Sequence, residues 1–202
     1  MSRPLHIGVL SFHGDVSEHI AAVAAAAVRK KIRVDTSEVR TKDGLQNLNA
    51  LIIPGGESTT LQMLCEREGM FPAMRKIKNI FGTCAGAILL AKKVHNKKKG
   101  QRTLALMDIE VDRNAYGRQI DSSEVELQTE LGKIHATFIR APKIHPIGRR
   151  VRVLAQNKDE IVCCEERIND SYYLAAAFHP ELTTTLFHEY FLKQVSGATS
   201  RD

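Results

Sequence analysis

Over the first 95 residues, short continuous apolar runs alternate with longer stretches in which apolar residues recur every three or four positions. The runs at 5–10 and 50–53 read as strands buried on both faces, and a shorter one ends at Phe81. Between them, Ile20, Val23 and Val28 mark the inner face of a helix over 18–31, with Asp15 or Ser17 as its cap. A second strand is expected over 32–36, extended by 39–40, followed by a polar connection over 43–49. Helical patterns follow over 59–68 and 72–78. Strands alternating with helices predict an open parallel sheet with right-handed crossovers. After Gly100 the pattern changes to β-rich segments at 104–111, 125–130, 134–140, 151–155, 161–165 and 172–178, closed by a helix over 184–195. There is no internal repeat, low-complexity linker or composition break. The expectation is one α/β domain over residues 1–202, three-layered, with a mixed, mainly parallel sheet flanked by helices.

Composition narrows the partners more than the fold. Much of the positive excess behind the net charge of +6 is local, in Lys92, Lys93, Lys97, Lys98 and Lys99, and in Arg149, Arg150 and Arg152. With no Trp and 5% aromatic residues, stacking platforms for nucleic acid are not evident, and the lysines read as a solvated loop. No apolar run reaches the ~20 residues a membrane helix needs, and the N-terminus lacks a signal-peptide pattern. Cys65, Cys84, Cys163 and Cys164 match no zinc spacing, and adjacent Cys163-Cys164 is a poor disulfide pair. Reduced thiols in a cytoplasmic protein fit best, with neither nucleic acid nor membrane as partner.

One of the four thiols is set apart by its neighbours. A short apolar run reaches Gly82-Thr-Cys84-Ala-Gly86, and an Ala/Leu-rich helical pattern leaves it. This is a Gly-x-nucleophile-x-Gly elbow with cysteine in the nucleophile position. The glycines let strand and helix approach closely while the central residue is held at a strained tip. The start of the helix offers the Ala85 N–H as an oxyanion donor. A buried structural cysteine on an ordinary βα turn is the competing reading.

A cysteine nucleophile needs a base, and the base an orienting partner. Among eight histidines, His179 follows the apolar strand ending at Phe178, and Glu181 lies two residues further on. In an extended segment i and i+2 point the same way, and Pro180 favours that extension at His179. Imidazole and carboxylate can then project together. The alternative is a His-Pro turn with a solvated Glu. Pro54-Gly-Gly-Glu-Ser58 ends the 50–53 strand and exposes backbone N–H groups to a ligand or oxyanion; a plain helix-capping turn through Ser58 is its alternative. A phosphate loop is disfavoured because no Gly-Lys-Ser/Thr follows.

Together, Gly82-Thr-Cys-Ala-Gly86, Pro54-Gly-Gly-Glu-Ser-Thr-Thr60 and Phe178-His-Pro-Glu-Leu182 resemble a class I glutamine amidotransferase. More narrowly, the chain resembles the glutaminase subunits of pyridoxal 5'-phosphate synthase. That resemblance extends to Gly8-Val-Leu10 with Gly14, Glu18-His19, Asp112-Arg-Asn-Ala-Tyr-Gly-Arg-Gln119 and Phe138-Ile-Arg-Ala-Pro142. It implies Cys84 as nucleophile, His179 as general base and acid, and Glu181 as orienting carboxylate. It also implies a glutamine site of Gly55, Gly56, Glu57, Ser58, Arg113, Ile139 and Arg140, with Gly56 and Ala85 N–H as oxyanion donors. No metal or organic cofactor is implied for this subunit. The implied partner is the synthase lyase subunit, one glutaminase per synthase subunit around a ring-shaped core, with glutaminase activity weak until the two dock. One departure is visible: His13 stands where the family usually has glutamine. The glutaminase subunit of imidazole glycerol phosphate synthase and a non-catalytic regulatory subunit of the same fold are the alternatives.

Overall fold

The computed structural model describes residues 3–113 and 122–199. Asn114 to Gln119 of the resemblance therefore lie outside the described residues. The chain opens with β1 (Leu5–Leu10), α1 (Val16–Lys30), β2 (Val34–Val39) and β3 (Ala50–Ile53). It continues through α2 (Ser58–Arg67), a short α3 (Phe71–Met74), β4 (Asn79–Thr83) and α4 (Ala85–Leu90). Next come β5 (Ala91–His95), β6 (Met107–Asp112), β7 (Ser122–Thr129), β8 (Gly132–Ile139) and β9 (Lys143–Pro146). The chain closes with β10 (Arg152–Asn157), β11 (Glu160–Ile168), β12 (Ser171–Ala176) and α5 (Leu186–Thr199).

Among the described residues, all twelve strands belong to one mixed sheet, whose main path runs β2-β1-β3-β4-β12-β11-β10-β7-β8. The first five strands on that path are parallel to their neighbours. From β12 onward the pairs on the path are antiparallel. A branch joins β5, β6 and β9 back to β11. The sheet curls, so that although β8 ends the path, its Thr137 carbonyl accepts the His179 N–H at 2.9 Å.

Strand alternation assigns the two faces of β4. Phe81 packs against His19 of α1 and against His188 and Phe191 of α5. Its neighbour Gly82 points the other way, onto Gly86 and Ala87 of α4. Helices thus cover both faces, as a parallel sheet requires.

Several local expectations are corrected. The helix after the elbow stops at Leu90 and Ala91 begins a strand, because the segment pairs with β6, with exposed Lys92 and Lys93 between buried Ala91 and Val94. Lys92 and Lys93 are therefore not on a solvated loop: they pair with Asp108 and Glu110 across the strands. The 72–78 helix is only Phe71–Met74, and the 32–36 strand lies at Val34–Val39, in register with β1. Neither Asp15 nor Ser17 caps α1. Asp15 occupies the N-cap position without a side-chain cap bond, and Ser17 bonds Glu18 instead.

Candidate active site

Cys84, His179 and the Gly55-Gly56 turn meet beyond the carboxyl ends of β4, β12 and β3. Parallel pairing produces this: Ile53 and Ala175 both lie in register with Gly82, so the chain leaves all three strands at one rim. The Cys84 N–H donates to the Ala176 carbonyl at 2.8 Å, tying the elbow to the strand that carries the histidine. Cys84 itself has φ 48° and ψ −103°, a conformation an L-residue adopts at a cost of about 1–3 kcal/mol. What imposes it is the approach of α4 to the sheet: a Cβ on Gly86 would lie 2.0 Å from the Ile53 carbonyl oxygen.

The three residues singled out for catalysis lie side by side. Cys84 is beside the His179 ring, since a Cβ placed on Gly55 would contact both side chains, and its sulfur donates to the Ile139 carbonyl at 3.7 Å. On the other side, His179 Nδ1 lies 2.8 Å from Glu181 Oε1. Their juxtaposition does not come from extended backbone, as i, i+2 spacing would have it. Pro180–Leu182 is a 3-10 turn, and His179 at φ −106°, ψ 82° leads into it. The turn brings the carboxylate back under the ring. Burial opposes charge on His179, but hydrogen bonds to Cys84 and Glu181 and their negative charge raise it well above the ordinary histidine range. Burial likewise opposes charge on Glu181, but hydrogen bonds from His179 and His19 hold it well below the usual carboxylate range.

Two contacts around this chain carry no signal in the sequence. Asp15 Oδ2 sits 3.1 Å from His179 Nδ1, so two carboxylates face one ring nitrogen. Donor atoms of Asp15, His179 and Glu181 lie within 4.8 Å of one another, a grouping that could hold a metal ion. The hydrogen bond and ion pair already joining them account for that proximity. Behind Glu181, His19 is fully buried with Nε2 3.4 Å from Oε1.

A cleft of about 240 Å³ opens on Cys84 and His179. Its walls bring together Gly56, Glu57, Ser58, Arg113, Ile139 and Arg140. Gly55 lies beneath the ring: a Cβ there would meet His179 Cε1 at 2.4 Å, so only glycine fits. Glu57 caps α2, accepting from Thr59 and Thr60 N–H at 3.2 and 2.6 Å, which places its carboxylate over the helix start. Burial works against the Glu57 charge, but the Thr60 and Thr59 hydrogen bonds lower its pKa to about 2. Ser58 is therefore not the cap of the alternative reading; its Oγ accepts from Gln101.

Arg113, which composition alone would leave on the surface, is only 7% exposed. Its guanidinium donates to Glu57 at 2.9 Å, Thr59 at 3.0 Å and Gln101 at 2.7 Å. The buried Gln101, which sequence reasoning missed, thus bridges Arg113 to Ser58 and fixes the wall of the cleft. Arg140 sits at φ 45°, directly after the carbonyl that faces the sulfur. His13 lies across the turn, its ring in the space a Cβ of Gly56 would need. Ala85 is the first residue of α4, next to the sulfur.

Buried neutral His188 predicts acid sensitivity. Burial first, and the nearby His19 second, push its pKa from 6.5 to about 3. The unfolded chain then binds more protons in that window, so stability falls as pH drops from 6.5, by up to ~1.4 kcal/mol per pH unit for this group. Raised His179 acts in the opposite direction: its contribution is complete below the ordinary histidine pKa and is lost on the alkaline side. Urea midpoints should peak near neutral pH, and His188→Phe should flatten the decline between about pH 6.5 and 5. An unchanged slope in that variant would contradict the assignment.

Fold and site together define a glutamine amidotransferase-type α/β protein. A solved chain titled "Crystal structure of glutamine amidotransferase" superposes with a TM-score of 0.80 at 41% identity, covering 94% of this chain and 98% of its own. The chain belongs to the SNO glutamine amidotransferase family, whose model matches residues 9–197. Over 193 residues it is 44% identical to the pyridoxal 5'-phosphate synthase subunit PdxT of Oenococcus oeni, covering 93% of this chain and 95% of the relative. The PdxT of Thermococcus onnurineus is 42% identical over 198 residues, with 94% and 98% covered. Among the described residues, no helix is long and apolar enough to cross a membrane.

Proposed function

We propose that this chain is the glutaminase subunit of a pyridoxal 5'-phosphate synthase, acting as one glutamine amidotransferase domain that hydrolyses L-glutamine and passes the ammonia to the synthase subunit. The observation that carries the reading is Cys84 and His179 side by side on one cleft, with His179 hydrogen-bonded to Glu181, in a member of this family. The cytoplasm is the fitting compartment, since all four cysteines are free.

The geometry supports a two-step acyl transfer. The Cys84 proton passes to His179, and the sulfur attacks the side-chain amide carbon of glutamine, forming the C–S bond. The oxyanion meets the Gly56 and Ala85 N–H groups. His179 returns its proton to the amide nitrogen, which leaves as ammonia and yields the thioester. A water then gives a proton to His179 and attacks the thioester carbon, releasing glutamate and restoring Cys84. Throughout, Glu181 keeps the imidazole oriented and stabilises its charged form. Gly55, Glu57, Ser58, Arg113, Ile139 and Arg140 hold the amino-acid end, with charge of both signs available for its α-carboxylate and α-ammonium. No cofactor takes part in this half of the reaction.

We assign one glutaminase per synthase subunit around a ring-shaped core, with docking as the activating event. The test is synthesis of pyridoxal 5'-phosphate by this chain with its synthase subunit, fed either glutamine or ammonium salt. Glutamine should support synthesis only when both chains are present, and glutamine hydrolysis by the isolated chain should be slow. If glutamine never replaces ammonia, the assignment fails.

A further inference from the structure

His19 and His188 take no part in the acyl-transfer steps. Both are fully buried, one on α1 and the other on α5, 169 positions apart. His19 Nδ1 and His188 Nε2 are 2.9 Å apart. The other nitrogen of His19 lies 3.2 Å from Thr83 Oγ1 and 3.4 Å from Glu181 Oε1. Polar groups around the Glu181 carboxylate thus come from several elements: His19 from α1 with Thr83 of β4 beside it, His179 from the turn after β12, and Asp15 just before α1.

Hydrogen bonding fixes the proton positions. A lone pair on His19 Nε2 would face the ionised Glu181 oxygen at 3.4 Å, so that nitrogen carries a proton directed at Glu181 and Thr83. His188 is held neutral by burial and has one proton to place. Among the described residues its Nδ1 has no partner, so the proton belongs on Nε2, donated to His19 Nδ1. The bonds then run in one direction, from His188 to His19 to Glu181, and Glu181 accepts from His179 on the same oxygen.

We infer that His19, oriented by His188, is a positioning residue of the active site: it donates to Glu181, keeping that carboxylate ionised and aimed at His179. The inference rests on the proposed Cys84–His179–Glu181 mechanism. Asp15, which also lies within 4.8 Å of His179 and Glu181, is a carboxylate paired with His179 and offers Glu181 no N–H. A role limited to packing would be filled equally well by an aromatic ring, since Phe81 and Phe191 already line this core.

The test is glutamine hydrolysis by the complex with the synthase subunit, measured across pH for wild type, His19→Phe, His19→Gln and His188→Phe. His19→Phe should lower kcat by about tenfold or more with little change in KM, and move the acid limb of the profile about one pH unit upward. His19→Gln, which retains an N–H towards Glu181, should recover most of the rate and the original limb. If His19→Phe fails to fold, His188→Phe serves instead, with a smaller loss of about threefold and a limb displaced the same way. Equal losses in His19→Phe and His19→Gln with an unmoved limb would show a packing role and overturn the inference, as would wild-type behaviour of both histidine variants. Glu181→Gln separates the two levels: full activity there removes the underlying mechanism. An inactive Glu181→Gln beside unaffected histidine variants removes only the role of His19.

Discussion

Cys84→Ala is expected to lower glutamine-dependent synthesis by on the order of 10⁴-fold or more while leaving ammonia-dependent synthesis and binding to the synthase subunit intact. The size follows from what remains. In the proposed mechanism, the cleft without the sulfur would still bind glutamine and offer the Gly56 and Ala85 N–H groups to the amide oxygen, but no covalent intermediate could form. The partner test matters because it separates chemistry from folding. Stability points the other way from activity at this residue. Cys84 holds φ 48°, where a side chain is strained, so Cys84→Gly should raise the unfolding free energy by about 1 kcal/mol. A thermal or urea transition combined with the two synthesis assays measures all three outcomes. Substantial glutamine-dependent synthesis by the alanine variant would place the nucleophile elsewhere.

Gly86→Ala should be the most damaging single methyl addition. Its Cβ would fall 2.0 Å from the Ile53 carbonyl oxygen and 2.9 Å from the carbonyl carbon, both main-chain atoms of β3 that cannot swing aside. Either α4 moves away from the sheet or β3 bends. The expected cost is about 3 kcal/mol or more, beyond the usual range for an overpacked side chain because backbone must shift. Activity should be lost with it, since α4 carries Ala85 and sets the Cys84 elbow. A urea midpoint within error of wild type would show that the elbow relaxes at little cost. Gly197→Ala is the matched control: a Cβ there meets nothing within 4 Å.

The strand–helix alternation of the first half was legible because each buried run is short, apolar and bounded by turn residues; β1 and β3 lie where the pattern put them. The elbow, the Gly-Gly turn and the His-Pro-Glu segment were legible for the same reason, since each is local. What escaped depends on pairing between distant segments. β5 looked like the tail of a helix because Ala91 continues an Ala/Leu run, and only its pairing with β6 makes it a strand. β9 is four residues long and gains its identity from β6 and β11. Asp15 looked like a helix cap, yet the ring of His179 competes for its carboxylate. Gln101, His19 and His188 resemble many other polar residues until the fold buries them against Arg113, Glu181 and each other.

The place of β12 has a consequence for how the molecule is assembled in time. This strand ends at Ala176, near the close of the chain, yet it fills the middle of the sheet, between β4 and β11. A chain emerging from the ribosome has completed the β4 edge long before its central neighbour exists. Until β12 arrives, β4 and β11 each present an open row of N–H and C=O groups, the kind of edge that recruits foreign strands. The nascent protein therefore passes through a stage in which most of its sequence is made, its thiol elbow is not yet tied to Ala176, and its histidine has not been synthesised. Closure of the sheet and creation of the active site are then one event, set by the last strand to be translated.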